Sequence, residues 1–198
     1  VGFEKVKLTA GNTIQKENPN IYLDFNAIAK GYTIDVIAQY LDKQNVENYL
    51  IELGGELVAK GENLERESPW MVAIDNPQQT DAERTLQTVL ELRNRAMATS
   101  GNYRKFRLDS VTGNRYVHTI NPLNGKAEKS NLLSASVLAE NCTLADGYAT
   151  AFMALGYEKS LEMLEELENV DVYFIYVDEA ESIRVFTSNG FAEALVED

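Results

Sequence analysis

Two periods of apolar residues alternate along this chain. Ala27, Ile34, Ile37, Ala38 and Leu41 recur at helical spacing and predict a helix to about residue 43. The short polar side chains of Asp24 and Asn26 suit its start. Leu144, Tyr148, Ala151, Phe152 and Leu155 form a second stripe, over 144–155, with Gly156 placed to close it. A third, acidic helix is expected over about 158–168, with Leu161, Leu164 and Leu167 inward. Between them lie runs of strand character. Residues 49–59 read as one strand interrupted by Gly54-Gly55, and 70–74 as a short strand closed by Asp75-Asn76-Pro77. Leu86, Leu90 and Leu92 suggest another, and Thr112-Gly113-Asn114 a hairpin turn feeding 115–120. Residues 133–139 form a further run, and 171–177 with 182–186 a terminal hairpin. The first twenty residues alternate weakly and end on the turn signal Asn18-Pro19-Asn20.

Because strands and helices do not alternate regularly, the expected fold class is α+β: a mixed or antiparallel sheet core with two or three packed helices. A length of 198 residues with 44% hydrophobic and 25% charged residues fits one globular domain over 1–198. Charge narrows the partners. With 31 acidic and 18 basic side chains the net charge is −13, and the densest cationic stretch is Arg104-Lys105-Phe106-Arg107. That is too little to neutralise a phosphate backbone, so a nucleic-acid interface is excluded. No apolar run reaches the roughly 18 residues of a membrane-spanning helix. The chain opens at Val1 without a basic, apolar leader, so any signal or anchor is expected upstream. One cysteine, Cys142, permits no internal disulfide and no thiolate metal site, and reads as a small apolar residue near a helix start rather than a reactive one.

Five places could carry chemistry. The helix start over 24–32 offers free N–H groups and partial positive charge to an anion, with Lys30 one turn in. Gly31 inside that helix costs roughly 1 kcal/mol against alanine, which marks either a close approach or packing against a strand. Gly54-Gly55 signals a bulge or a ligand pressed on backbone. Thr99 and Ser100 suit hydrogen bonds to a ligand better than nucleophilic attack, since Ser100 lacks a nucleophile-elbow context. His118, the sole histidine, precedes a turn-rich loop and is either structural or a base working near neutral pH. Asp146 and Thr150 are four apart on one helical face, off the apolar stripe. They are either solvated or two hard oxygen ligands for a cation such as Mg²⁺.

Taken in order, the blocks DFNAIAKGYTID, LIELGGEL, PWMVAIDNP, ATSGNY, RYVHTINPLNG and LADGYATAFMALG resemble those of the ApbE-like flavin transferases, the FAD:protein FMN transferases. The resemblance runs from about Tyr22 to Gly156 and more loosely beyond. It implies FAD bound with Mg²⁺ in an α+β fold. The FMN half then passes to a threonine hydroxyl of a partner protein, and AMP is released. Asp24 and Lys30 match flavin-nucleotide contacts, and Ser100 and the Gly54-Gly55 backbone line the flavin site. Ala27 supplies a backbone carbonyl to the metal, and Asp146 and Thr150 their side-chain oxygens. His118 matches the base that deprotonates the acceptor hydroxyl, with Ile120 beside it. The implied partners are extracytoplasmic subunits of redox-driven ion pumps. The implied setting is the cell envelope, on the periplasmic or extracytoplasmic side, with a lipoprotein anchor ahead of this chain. Two departures stand out: Phe25-Asn26 replaces a smaller, glycine-containing pair, and the family's N-terminal segment does not precede Val1. The same residues are also compatible with an FAD pyrophosphatase that makes FMN and AMP, or with a non-catalytic flavin-binding module.

Overall fold

The computed structural model describes residues 2–76, 85–101, 125 and 130–196, together with the backbone of 106–108 and 115–117. A 3₁₀ turn and a small exposed hairpin, β1 (Val6–Leu8) and β2 (Ile14–Lys16), lead into helix α1 (Ala29–Lys43). Strands β3 (Tyr49–Leu53), β4 (Glu56–Lys60), β5 (Trp70–Asp75), β6 (Leu86–Leu92) and β7 (Ala96–Gly101) follow. Then come β8 (Phe106–Leu108), β9 (Arg115–Val117), β10 (Leu132–Ala139), α2 (Cys142–Leu155) and α3 (Tyr157–Leu164). The chain continues through β11 (Asp171–Val177), β12 (Ile183–Thr187) and the short α4 (Asn189–Ala192).

Six strands form one antiparallel sheet in the order β12-β11-β10-β7-β4-β3. Both of its faces are covered, and the side-chain period of two divides them. Ala96, Ala98, Ala135, Val137, Val172 and Phe174 point to α1 and α2, where they meet Ile34, Ala145, Ala149 and Phe152. The alternating Leu57, Met97, Leu138, Tyr173 and Ile175 point to the other side, against the β5–β6 hairpin and Phe191 of α4. Helices α1, α2 and α3 lie on one face and the hairpin with α4 on the other, and the fold is α+β.

The structure redraws three expected elements. Gly54-Gly55 is the two-residue turn of a hairpin rather than a break in one strand. Both glycines have positive φ, 64° and 100°, as such a turn requires, and Leu53 pairs with Glu56 across it. Helix α1 starts at Ala29 with Ile28 as an N-cap that makes no side-chain hydrogen bond. Asp24 instead closes its own turn, accepting the Asn26 N–H at 2.7 Å. Helix α3 ends at Leu164 and continues as turns, yet Leu161, Leu164 and Leu167 still pack on the core. The central strand β7, with the sequence AMATSG, had no apolar run to announce it.

Candidate functional site

The first turn of α1 and the second turn of α2 touch through a glycine. A Cβ on Gly31 would lie 2.2 Å from the Cys142 carbonyl oxygen and 2.9 Å from Asp146 Cβ, so no other residue permits this approach. Gly31 N–H, which in a helix extended backward would reach the Ala27 carbonyl, donates instead to Asp146 Oδ2 at 3.0 Å. One turn further on, Asp35 Oδ1 accepts the Cys142 N–H at 2.8 Å and Oδ2 the Thr143 N–H at 2.8 Å, with the Thr143 hydroxyl also donating to Oδ2. Asn141 adds the usual cap, accepting the Leu144 N–H at 2.9 Å. Two carboxylates from different helices thus fix one register between α1 and α2.

That register sets the wall of a cavity of about 680 Å³. Asn26 and Lys30 enter it from the α1 side, and Asp146 and Thr150 from α2. The β3–β4 turn contributes Glu52, Gly54, Gly55 and Glu56, β5 contributes Val72 to Asp75, and β7 contributes Met97 and Thr99 to Gly101. The volume falls within the roughly 300–1,000 Å³ of small-molecule clefts. Glycine in the turn is a geometric demand of its positive φ, and it leaves bare backbone on the cavity rim. Glu52 Oε1 accepts the Gly55 N–H at 2.8 Å and fixes the turn.

The electrostatics are those of buried carboxylates with few partners. Asp146 is 3% exposed, and burial raises its pKa from the ordinary value against the opposing pull of the Gly31 N–H and the Lys30 charge. Glu56, 2% exposed, is raised by burial too, against the Lys30 Nζ that donates to its Oε1 at 2.5 Å. Ser100 Oγ and Thr150 Oγ1 lie 3.4 Å apart, joining β7 to α2 across the floor.

The structure brings Lys30, Gly54, Gly55, Ser100, Asp146 and Thr150 around one cavity. Asp24 and Ala27 sit in the exposed turn just ahead of α1, next to the cavity-lining Asn26. His118 and Ile120 lie outside the described residues. Sequence reasoning passed over Glu56 and Asp35. The only local signal for Glu56 was its place between paired glycines and the apolar run Leu57-Val58-Ala59, which marks its position but not its burial. Nothing local marked Asp35, whose partners are more than a hundred residues away. The Asp146 face, which spacing left as either solvated or ligating, is buried.

The sequence profile of the ApbE family matches residues 1–174. The chain belongs to that family. An FAD:protein FMN transferase of Haemophilus influenzae is 38% identical over 194 residues, 96% of this chain and 52% of that protein. One of Vibrio cholerae is 41% identical over 156 residues, 78% of this chain and 45% of that protein. Among solved structures, the flavin transferase ApbE from Vibrio cholerae superposes with a TM-score of 0.82 at 34% identity, covering 98% of this chain and 59% of that one. This chain therefore spans about half the length of the ApbE relatives it matches. The ApbE protein of Thermotoga maritima, at 22% identity and a TM-score of 0.80, shares the fold.

Proposed function

We propose that the chain carries the active site of an FAD:protein FMN transferase, which binds FAD in the cavity and passes its FMN half to a threonine hydroxyl of a partner protein. The supporting observation is the convergence of Lys30, the Gly54-Gly55 turn, Ser100, Asp146 and Thr150 on one cavity in a member of the ApbE family.

A magnesium ion suits the donor set. Among the described residues no group of three or more His, Cys, Asp or Glu side chains could hold a metal ion. A cation here would be held by Asp146, the Thr150 hydroxyl and the Ala27 carbonyl, together with phosphate oxygens of the ligand. Few carboxylates plus substrate phosphates are what Mg²⁺ accepts. When bound, the ion supplies charge neutralisation at the transferring phosphoryl group. Lys30 and the helix start attract the pyrophosphate, and the glycine turn lets the ligand approach backbone. His118 takes the proton from the acceptor hydroxyl, whose oxygen then bonds to the FMN phosphorus. The bond from that phosphorus to the bridging oxygen breaks, and the electron pair leaves with AMP.

In this reading the acceptors are extracytoplasmic subunits of redox-driven ion pumps, and the reaction takes place in the cell envelope. No helix among the described residues is long and apolar enough to cross a membrane. In this reading a lipid anchor holds the protein at the membrane. The test is incubation with FAD and Mg²⁺, with and without a threonine-bearing acceptor, followed by in-gel flavin fluorescence and AMP quantification. Covalent flavin and AMP that both require acceptor are expected. Sustained AMP release without acceptor would make the protein a pyrophosphatase, and bound flavin with no product a binding module.

A further inference from the structure

Glu56 carries the one buried side-chain oxygen or nitrogen, among the described residues, that has no hydrogen-bond partner. Its side chain is 2% exposed, Oε1 takes the Lys30 ammonium, and Oε2 has no partner among the described residues. A buried acceptor left unpaired costs about 1–3 kcal/mol, more when charged. Glu56 lines the cavity, beside the bare backbone of the turn. A Cβ on Gly54 would come 3.9 Å from Oε2 and 3.7 Å from Lys30 Cδ.

Charge restricts what can meet Oε2. A phosphate oxygen would be repelled, so phosphate belongs to Lys30, whose side chain is 46% exposed. The group at Oε2 must donate a hydrogen bond. In a dinucleotide, the donors closest to the phosphates are hydroxyls on the sugar or ribityl carbons, and the ring N–H groups lie farther off. We propose that Glu56 is a recognition residue for such a hydroxyl, accepting its hydrogen bond at Oε2 beside the phosphate that Lys30 holds. This rests on the dinucleotide reading above. It assigns Glu56 two tasks, one per oxygen: orienting Lys30 and selecting a polyol next to the phosphate. A site built around a substrate hydroxyl discriminates strongly against ligands lacking it.

The test compares wild type with Glu56→Gln, in the presence of Mg²⁺, on four probes. FAD binding is read by fluorescence. FMN, which has only the ribityl hydroxyls, ADP, which has only the ribose, and inorganic pyrophosphate, which has neither, are read by competition. The amide introduced by Glu56→Gln has one acceptor oxygen for two tasks, so FAD should weaken about tenfold or more, the scale of a charge-assisted hydrogen bond. FMN or ADP should weaken equally, naming the hydroxyl's source, while pyrophosphate binds as before or tighter. Without ligand, Glu56→Gln should melt no lower than wild type. Glu56→Asp, which keeps the charge but withdraws the oxygen, should show the same FAD-selective loss and serves if Glu56→Gln fails to fold. Equal losses for FAD and pyrophosphate would mean that Glu56 only props Lys30, and overturn the proposal. So would unchanged FAD binding, or a loss reproduced by neither FMN nor ADP. A folded wild type that binds no FAD would instead bring down the functional reading, and this proposal with it.

Discussion

The Gly31 N–H donates to the Asp146 carboxylate at 3.0 Å, tying the first turn of α1 to α2 across 115 residues of sequence. The contact exists because residue 31 has no Cβ. Propensity alone makes Gly31→Ala stabilising by about 1 kcal/mol in a helix. The structure reverses that sign, because the new methyl would stand 2.2 Å from the Cys142 carbonyl oxygen, a backbone atom that cannot swing aside. Forcing the helices apart is expected to cost about 1–3 kcal/mol. Urea denaturation reads the difference directly, and a variant as stable as wild type would show that the helices do not meet this closely.

Replacing Asp146 by Asn separates its structural and ligand roles. The amide oxygen still accepts the Gly31 N–H, while a negative charge that burial disfavours is removed. Asp146→Asn should therefore melt at or above the wild-type temperature without ligand. The Mg²⁺ concentration giving half-maximal FMN transfer should rise about tenfold or more, as for the loss of a hard anionic ligand. A variant that unfolds, or one with an unchanged metal requirement, would contradict the assignment of this helix face.

His118→Ala tests the proposed base. General-base catalysis supplies about 10²–10⁴-fold, so transfer to the acceptor should fall by that factor. FAD affinity and melting temperature should stay at wild-type values, because the imidazole acts on the acceptor hydroxyl and not on the dinucleotide. Single-turnover kinetics with pre-bound FAD separate the two, and an undiminished rate would remove His118 from the mechanism.

What the sequence could disclose depended on how local each cause was. The α1 stripe was legible through Ile34 and Ala38, whereas on α2 the helix was legible but its buried face was not. Of the expected α2 stripe only Phe152 is buried, Leu144 and Leu155 are exposed, and Ala145, Ala149 and Met153 face the core instead. Strand β7 was not legible, because Ala96, Ala98 and Ser100 are small for a reason outside the strand: α2 packs directly on them. The same holds for the site. Lys30 and Gly54-Gly55 could be singled out from their neighbours, and Asp146 with Thr150 from spacing and the family resemblance. The burial of Asp146, the clasp of Asp35 on α2 and the half-satisfied Glu56 are products of helix-to-helix and helix-to-strand contact that no local pattern encodes.

Alkaline pH should loosen the packing around α1, against which both Cys142 and Tyr49 are held. Burial pushes the Cys142 thiol up to about 12 from its ordinary 9.0, reinforced by the nearby Asp35 and Asp146. Tyr49 is likewise pushed up to about 12 from 10.0, first by burial and then by its hydrogen bond to Asp42. Both groups stay protonated longer folded than unfolded, so between these values the folded state binds more protons. Their contribution to stability is whole below about pH 9 and is lost as pH rises toward about 12. Each group contributes a slope on the order of 1.4 kcal/mol per pH unit within its own window. Of the two, the thiol alone acts between pH 9 and 10. Cys142→Ala should flatten the decline of the urea midpoint over that interval, despite the smaller side chain's cost at neutral pH, and leave the steeper fall above pH 10 in place. In wild type the thiol should resist alkylation at pH 8.5 until denaturant is added. Rapid labelling of the folded protein, or identical pH profiles for the two chains, would show that Cys142 is not sealed between α1 and α2.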